Sequence, residues 1–306
     1  MEIQLSFSDQ PTLQTSLHIS SKIAEGKFSI FEAFSPLHNQ TYALKVFPNN
    51  TFGRNQFQKE QLLSHLNHPN VIKNIPITSE RDDCHLLLLE HAKYGDFFDI
   101  VLKGALNTEA LVRTYFHQLI EGLEHIHSQK VAHLDLKLEN LMISSDLKLK
   151  IIDFDQAQLL SDEIITSAGT KAYRAPEVKD GTCKHFIAAD IFSAGVLLFT
   201  MMTKEFAFRE ASDPHKKDPR CYSTYLSNKK NFWQVAAQLN NDPNFFSQDF
   251  KDLFEGMVHE DPSQRLTITE IKNSNWYKGR VLTEKDLQVQ IKLKLETIRR
   301  QKRRVC

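Results

Sequence analysis

Short apolar runs dominate the first third of this chain, and longer helical stripes come after them. Leu13 to Ile19 predicts a strand at a sheet edge, and Ile23-Ala-Glu-Gly-Lys-Phe-Ser-Ile-Phe31 predicts a strand, a turn and a second strand. Tyr42-Ala-Leu-Lys45-Val-Phe47 alternates as a half-buried strand does, whereas Leu86 to Leu89 is the continuous run of a fully buried one. Between them, Phe57, Leu62, Leu63 and Leu66 mark a helix over Gln56 to Leu66, stopped ahead of His68-Pro69. Asp96 is placed to cap a helix over Phe97–Leu102, and Thr108 one over Glu109–Ser128, whose stripe is Leu111, Tyr115, Phe116, Leu119, Leu123 and Ile126. Leu141-Met-Ile143 and Leu147 to Ile152 predict a short hairpin. Ala188 to Met202 predicts a buried core helix, since it is short for a bilayer and carries Asp190, Ser193 and Thr200. Phe250–Val258 predicts another helix. From 280 onward the pattern is ambiguous. Leu287, Val289, Ile291, Leu293 and Leu295 alternate, yet Leu287, Ile291, Leu295 and Ile298 also line one helical face.

Composition narrows the class. The chain has 306 residues, 41% hydrophobic and 25% charged, the values of a globular protein with a sizeable core. Its formal net charge of zero gives no global field for nucleic acid, so no nucleic-acid partner is expected. Cys84, Cys183, Cys221 and Cys306 are scattered without metal-ligand spacing and read as reduced thiols in a cytoplasmic or nuclear protein. No basic-then-apolar signal pattern opens the sequence, and no membrane insertion is expected. Arg299-Arg-Gln-Lys-Arg-Arg304 is a basic run. A solvated tail is its plainest reading, with a nuclear-import signal or an acidic-surface contact as the alternatives.

The chemistry concentrates in His133-Leu-Asp-Leu-Lys-Leu-Glu-Asn140. Asp135 suits a proton acceptor, Asn140 a neutral oxygen ligand for a metal, and Lys137 a cation that neutralises a moving phosphoryl group. Asp and Asn are ordinary loop residues, so the stretch gains weight only from the residues downstream of it. Asp153-Phe154-Asp155 closes the predicted hairpin, and Gly169-Thr-Lys-Ala-Tyr-Arg-Ala-Pro-Glu177 comes next.

This order of motifs resembles the eukaryotic protein kinase family over roughly residues 20–279. The resemblance implies an α+β, bilobal fold: an extension or edge strand over 1–19, a β-rich lobe over 20–91 with one helix, a mainly helical lobe over 92–279, and a basic tail over 280–306. It implies ATP and Mg²⁺ as cofactors, and protein substrates with Ser or Thr acceptors, acted on by a monomer. Lys137 with Thr170 resembles the serine/threonine branch, and within it the calcium/calmodulin-dependent-kinase-like group. Carried onto this sequence, Asp135, Lys137 and Lys45 are catalytic, and Asn140 and Asp153 hold the metal. Ile23, Gly26, Phe31, Ala43, Lys45, Glu60, Leu89, Glu90, Ala92 and Asp96 surround the nucleotide. Lys45 grips its α- and β-phosphates, and the backbone of Glu90 and Ala92, in the hinge between lobes, binds adenine. Leu89 limits the pocket behind the base. Asp96 reaches the ribose or a basic substrate residue, and Phe28, at the tip of the glycine-rich loop, shields the phosphates. Asp190 hydrogen-bonds the catalytic loop, and Glu177 pairs with Arg265.

Four departures qualify that pattern. Of three expected glycines only Gly26 is present, with Ala24 and Ser29 in the other places. The glutamate expected to pair with Lys45 falls on Lys59, one residue before Glu60, and one residue turns a helix by about 100°. Either the helix has lost a residue after Glu60 or the pairing is absent; Glu60 is the residue assigned. Leu134 replaces the arginine that reads a phosphorylated activation segment, so activity independent of phosphate at Thr166 or Ser167 is expected. Asp155 replaces glycine after Asp-Phe, adding charge near the metal and losing backbone freedom. An enzyme is the favoured reading, and a non-catalytic scaffold of the same fold the alternative. A small-molecule kinase is the third reading, opposed by the Gly169–Glu177 match.

Overall fold

The computed structural model describes residues 2–7, 14–78, 83–161, 169–179, 183–208 and 220–303. They fall into two compact units, Met1–Gly95 with Met142–Asp155, and Asp96–Leu141 with Gln156–Cys306.

The first unit is built on an antiparallel sheet. Its strands are β1 (Glu2–Phe7), β2 (Gln14–Glu25), β3 (Ser29–Ser35), β4 (Gln40–Pro48), β5 (Asn74–Ile75), β6 (Ile77–Thr78) and β7 (Cys84–Glu90), in the order β5-β7-β4-β3-β2-β1-β6. Period-two alternation turns Ile3, Leu5 and Phe7 inward onto Leu17, Ala33, Tyr42, Leu44, Leu86 and Leu88, all buried. Of the predicted edge strand Leu13–Ile19, Leu13 lies outside the described residues, and the part from Gln14 is no edge. It belongs to an interior strand that begins at Gln14 and runs through to Glu25, and β1 covers its outer side.

Helix α1 spans Thr51–Leu62 and ends in a 3₁₀ turn at Leu63–His65, so it starts five residues before the predicted Gln56 and stops earlier. The early start has a local cause. Asn50 Oδ1 accepts a hydrogen bond from the Gly53 N–H at 2.8 Å, as a helix N-cap does. Gly53 allows it, because a Cβ there would lie 2.1 Å from the Pro48 carbonyl oxygen. A glycine that lowers helix propensity hides this turn from a periodicity reading.

The hairpin Leu141–Ile143 and Leu149–Ile151 brings the 142–155 segment to the first unit. Ile72 N–H donates to the Ile151 carbonyl, Ile151 N–H donates to the Asn70 carbonyl, and the Asn70 amide donates to Leu149.

The second unit is helical. It contains α2 (Phe97–Leu102), α3 (Glu109–Ser128), α4 (Pro176–Lys179), α5 (Phe186–Thr203), α6 (Tyr222–Ser227), α7 (Lys229–Leu239), α8 (Gln248–Met257), α9 (Ile268–Asn273), α10 (Glu284–Gln290) and α11 (Lys292–Arg303). Asp96, Thr108 and Ser247 cap α2, α3 and α8. Helix α5 is long and apolar enough to cross a membrane, and it is 83% buried as a core helix. Phe199 on it meets Phe232, Trp233, Phe246 and Phe254 with ring centroids 5.4–6.3 Å apart, tilted or stacked as aromatic pairs prefer. The ambiguous stretch after 280 is helical: Leu287, Ile291, Leu295 and Ile298 are buried, while Val289 and Leu293 are 78% and 74% exposed. Only the helical set is inside, which excludes the alternating strand.

Candidate functional site

The first unit assembles a cationic group around Lys45. This lysine lies on β4 with its side chain only 8% exposed, so its ammonium must be paired. Nζ donates to Glu60 Oε1 at 2.5 Å and to Asp153 Oδ1 at 3.3 Å. The Phe28 and Phe47 rings lie 5.4 Å away, within cation–π range. Burial pulls the Lys45 pKa down, but the Glu60 and Asp153 carboxylates outweigh it, so the net shift is upward and the ammonium stays charged.

Helix α1 thus presents Glu60, not residue 59, to Lys45. Lys59 instead donates to the backbone carbonyl of Asp155 at 2.7 Å. Asp153 has φ +63°, a left-handed backbone costly for a non-glycine residue. The Asp155 carboxylate receives Lys27 Nζ at 2.6 Å. Phe28 does not stand out from the tip of its turn. It is buried against Phe47, centroids 4.5 Å apart, and stacked on Phe52 at 5.7 Å. The apolar neighbourhood at residue 47 outweighs exposure of the ring.

The remaining residues assigned to the nucleotide in this unit lie on its strands. Ile23 is 45% exposed, and Gly26 has open space where a side chain would project. Phe31, Ala43 and Leu89 are half-buried, with Ala43 opposite Leu89 in the β4–β7 register. The Glu90 side chain is engaged by Lys150 at 2.7 Å and by the Lys73 N–H at 2.8 Å. The Ala92 carbonyl accepts from Gly95.

The second unit assembles the acidic group. Asp135 is buried, and its Oδ2 accepts Lys137 Nζ at 2.6 Å and Asn140 Nδ2 at 3.1 Å. Its Oδ1 accepts the Thr170 hydroxyl at 2.8 Å, and Lys137 also reaches Thr170 Oγ1 at 3.0 Å, which closes a ring of three side chains, Asp135, Lys137 and Thr170, with Asn140 bonded to Asp135 from outside it. The Asn140 amide nitrogen donates to the Asp135 carbonyl as well, so its nitrogen end is committed to Asp135 and its oxygen is the end with ligand character. Gly169, φ +82°, lets the chain return to this loop, because a Cβ there would lie 2.5 Å from the Leu134 carbonyl oxygen.

Asp190 holds the loop from beneath. Its oxygens accept the His133 N–H at 2.8 Å and the Leu134 N–H at 2.7 Å, and His127 Nε2 contacts it at 2.9 Å. Leu134 is buried with φ +61° and offers a phosphate no donor from its side chain. Thr166 and Ser167 lie outside the described residues. Glu177 and Arg265 form a bidentate pair at 2.5 and 2.8 Å.

Asp96, assigned to ribose or a basic residue, is engaged within its own unit. Its Oδ1 caps α2 through the Asp99 N–H at 3.0 Å, and its Oδ2 receives Lys302 Nζ of α11 at 2.5 Å. Of the basic run, Lys302 thus meets an acidic surface of this same chain rather than solvent alone, and it reaches Asp99 too at 3.0 Å. Sequence reading missed Lys27 and His127, and it named the basic run without its partner for Lys302. Each contacts an acid more than 60 positions away, which no local pattern reports.

Among the described residues, no three His, Cys, Asp or Glu side chains form a metal-holding cluster. Asp153 in the first unit offers a carboxylate and Asn140 in the second a neutral amide oxygen, each a hard ligand of the kind that holds Mg²⁺ together with phosphate oxygens and water.

Residues 17–277 match the family model described as "Protein kinase domain". CBL-interacting protein kinase 26 of Oryza sativa subsp. japonica is 30% identical over 85% of the chain and 52% of its own length. A probable serine/threonine-protein kinase of Dictyostelium discoideum is 34% identical over 73% of the chain and 25% of its own. The carbon catabolite-derepressing protein kinase of Saccharomyces cerevisiae is 28% identical over 85% and 40%. The chain spans about half the length of the first curated relatives it matches. With a β-sheet unit, a helical unit and a family match over most of its length, this chain belongs to the protein kinase family.

Proposed function

We propose that this chain is a serine/threonine protein kinase that transfers the γ-phosphoryl group of ATP to Ser and Thr hydroxyls of protein substrates, of the calcium/calmodulin-dependent-kinase-like group. The observation that carries the reading is the closed ring of Asp135, Lys137 and Thr170, with Asn140 as a further donor to Asp135. In it one carboxylate is oriented from three sides and kept beside a lysine, as a proton acceptor for a substrate hydroxyl requires. Lys137 is assigned to the charge that develops on the transferring group, and Lys45 to the nucleotide phosphates. Ile23, Ala43, Leu89 and the backbone at Glu90 and Ala92 are assigned to the adenosine end. Asn140 and Asp153 would hold Mg²⁺, which supplies charge neutralisation at the phosphates when bound. The Glu60 contact also removes the shifted glutamate as an argument for a non-catalytic scaffold. Incubation with labelled ATP, Mg²⁺ and a generic basic protein tests the proposal. Incorporation no higher than that of the Asp135→Asn variant would sink it.

Two further outcomes are expected. Asp153→Ala should lose the Mg²⁺-dependent part of nucleotide affinity, because Asp153 is the one full negative charge assigned to the metal. Titration of a fluorescent nucleotide with and without Mg²⁺ reads this, and an unchanged Mg²⁺ enhancement excludes Asp153 as a ligand. Glu60→Ala should lower kcat/KM more than Lys59→Ala, since only Glu60 touches Lys45. Removing one partner of a buried pair typically costs ~3–5 kcal/mol. Steady-state kinetics of the two variants decide the order, and equal small effects would detach α1 from the function of Lys45.

A further inference from the structure

The residue at 155 departs from its family, and the first unit shows what it does instead. Asp155 is buried, and its backbone is not among those with positive φ, so this conformation does not use the freedom a glycine would bring. Its side chain and its carbonyl face two different lysines. The carboxylate takes Lys27 Nζ at 2.6 Å, from the turn between β2 and β3. The carbonyl takes Lys59 Nζ at 2.7 Å, from α1. The next residue along each element is one that packs on Lys45: Phe28, with its ring 5.4 Å from Nζ, and Glu60, ion-paired at 2.5 Å.

We infer that Asp155 is a positioning residue whose carboxylate, through Lys27, draws the β2–β3 turn down onto Phe47 and Lys45, and whose carbonyl, through Lys59, keeps Glu60 turned toward the same lysine. The inference rests on the reading of Lys45 as a nucleotide-phosphate ligand. The latch compensates for the sparse glycines of this turn. A glycine-rich turn can close its amides over phosphate at little steric cost, whereas this one, with Ala24 and Ser29, is tethered in a closed form by an ion pair before any ligand arrives. A partly exposed pair of this kind supports a modest coupling, under about tenfold in an equilibrium constant.

The test is a double-variant cycle with Lys27→Gln, Asp155→Asn and both together, on the full chain. Hydrogen exchange of residues 26–29 in the nucleotide-free protein is the first readout. Each single variant should speed it about three- to tenfold, and the double variant should add nothing further. The second readout is the affinity for a fluorescent ADP analogue without Mg²⁺, expected to weaken by a similar factor in each single and no more in the double, while kcat at saturating ATP changes less than twofold. Asp155→Gly should behave like Asp155→Asn rather than improve on the parent. Additive effects in the cycle, or tighter nucleotide binding in the singles, would overturn the latch, as would a gain of affinity in Asp155→Gly. Because exchange is read without nucleotide, a parent that bound no ADP would overturn the functional reading while the cycle still decided the latch.

Discussion

Asp135→Asn is expected to lower phosphoryl transfer by about 10²–10⁴-fold, the usual contribution of a positioned general base, with the fold and the nucleotide affinity nearly unchanged. The ring around Asp135 explains why the fold should survive. The substituted amide keeps one oxygen, which can still accept Lys137 and Asn140 where Oδ2 does now. Its NH₂ then faces Thr170 Oγ1, an atom able to accept. Shape and hydrogen bonds are kept; the negative charge and the proton-accepting site are lost. Nucleotide affinity should hold because the residue is assigned to the substrate hydroxyl and not to the phosphates. Initial rates under saturating ATP, with nucleotide affinity measured in parallel, check it. Rates within threefold of the parent would mean that the loop has been given the wrong role, and a matching loss of nucleotide affinity would mean that Asp135 is a nucleotide ligand.

How far the sequence reveals this site depends on whether a signal is local. His133–Asn140 and Asp153 are compact motifs, and in the structure Lys137 and Asn140 both donate to the Asp135 carboxylate, two and five residues along. Caps at Asp96, Thr108 and Ser247 are equally local, one side chain and an N–H three residues on. The start of α1 is hidden by a glycine that lowers propensity yet is sterically required against Pro48. The β1 strand shows its alternation plainly at Ile3, Leu5 and Phe7, but a six-residue segment carries little weight until a partner strand covers it. Long-range ion pairs are not legible at all. Asp155 reads as a lost glycine until Lys27, 128 positions away, is found on it. The basic run likewise leaves a solvated tail and an acidic-surface contact both open until Lys302 is seen on Asp96.

The larger effect on stability is expected from Asp190→Ala. This carboxylate is 0% exposed, near the N-terminal end of α5, and is surrounded by donors: the N–H groups of His133 and Leu134 and the Nε2 of His127. Burying a charge there is tolerable only because those groups replace its water. Alanine removes the charge but strands the donors, and an unsatisfied buried donor costs about 1–3 kcal/mol. The backbone adds to this. Leu134 is held at φ +61°, a left-handed conformation that costs a non-glycine residue roughly 1–2 kcal/mol and persists only where its surroundings over-determine it. The bond from Leu134 N–H to Asp190 Oδ1 is the restraint seen on that peptide. A net loss of ~3–5 kcal/mol is expected, as for breaking other buried charged networks, which is a large fraction of the ~5–15 kcal/mol that holds a domain together. Asp190→Asn should fall between, since one of its two ends presents NH₂ to a donor. Urea denaturation of the three proteins, followed by tryptophan fluorescence, reads the order directly; Trp233 and Trp276 are both buried in this unit. A variant that does unfold at lower urea but keeps full kcat/KM in buffer would show that Asp190 supports the fold without shaping the loop. A loss under about 1 kcal/mol for Asp190→Ala, below the cost of even one stranded donor, would mean that water or a neighbouring group takes up those donors.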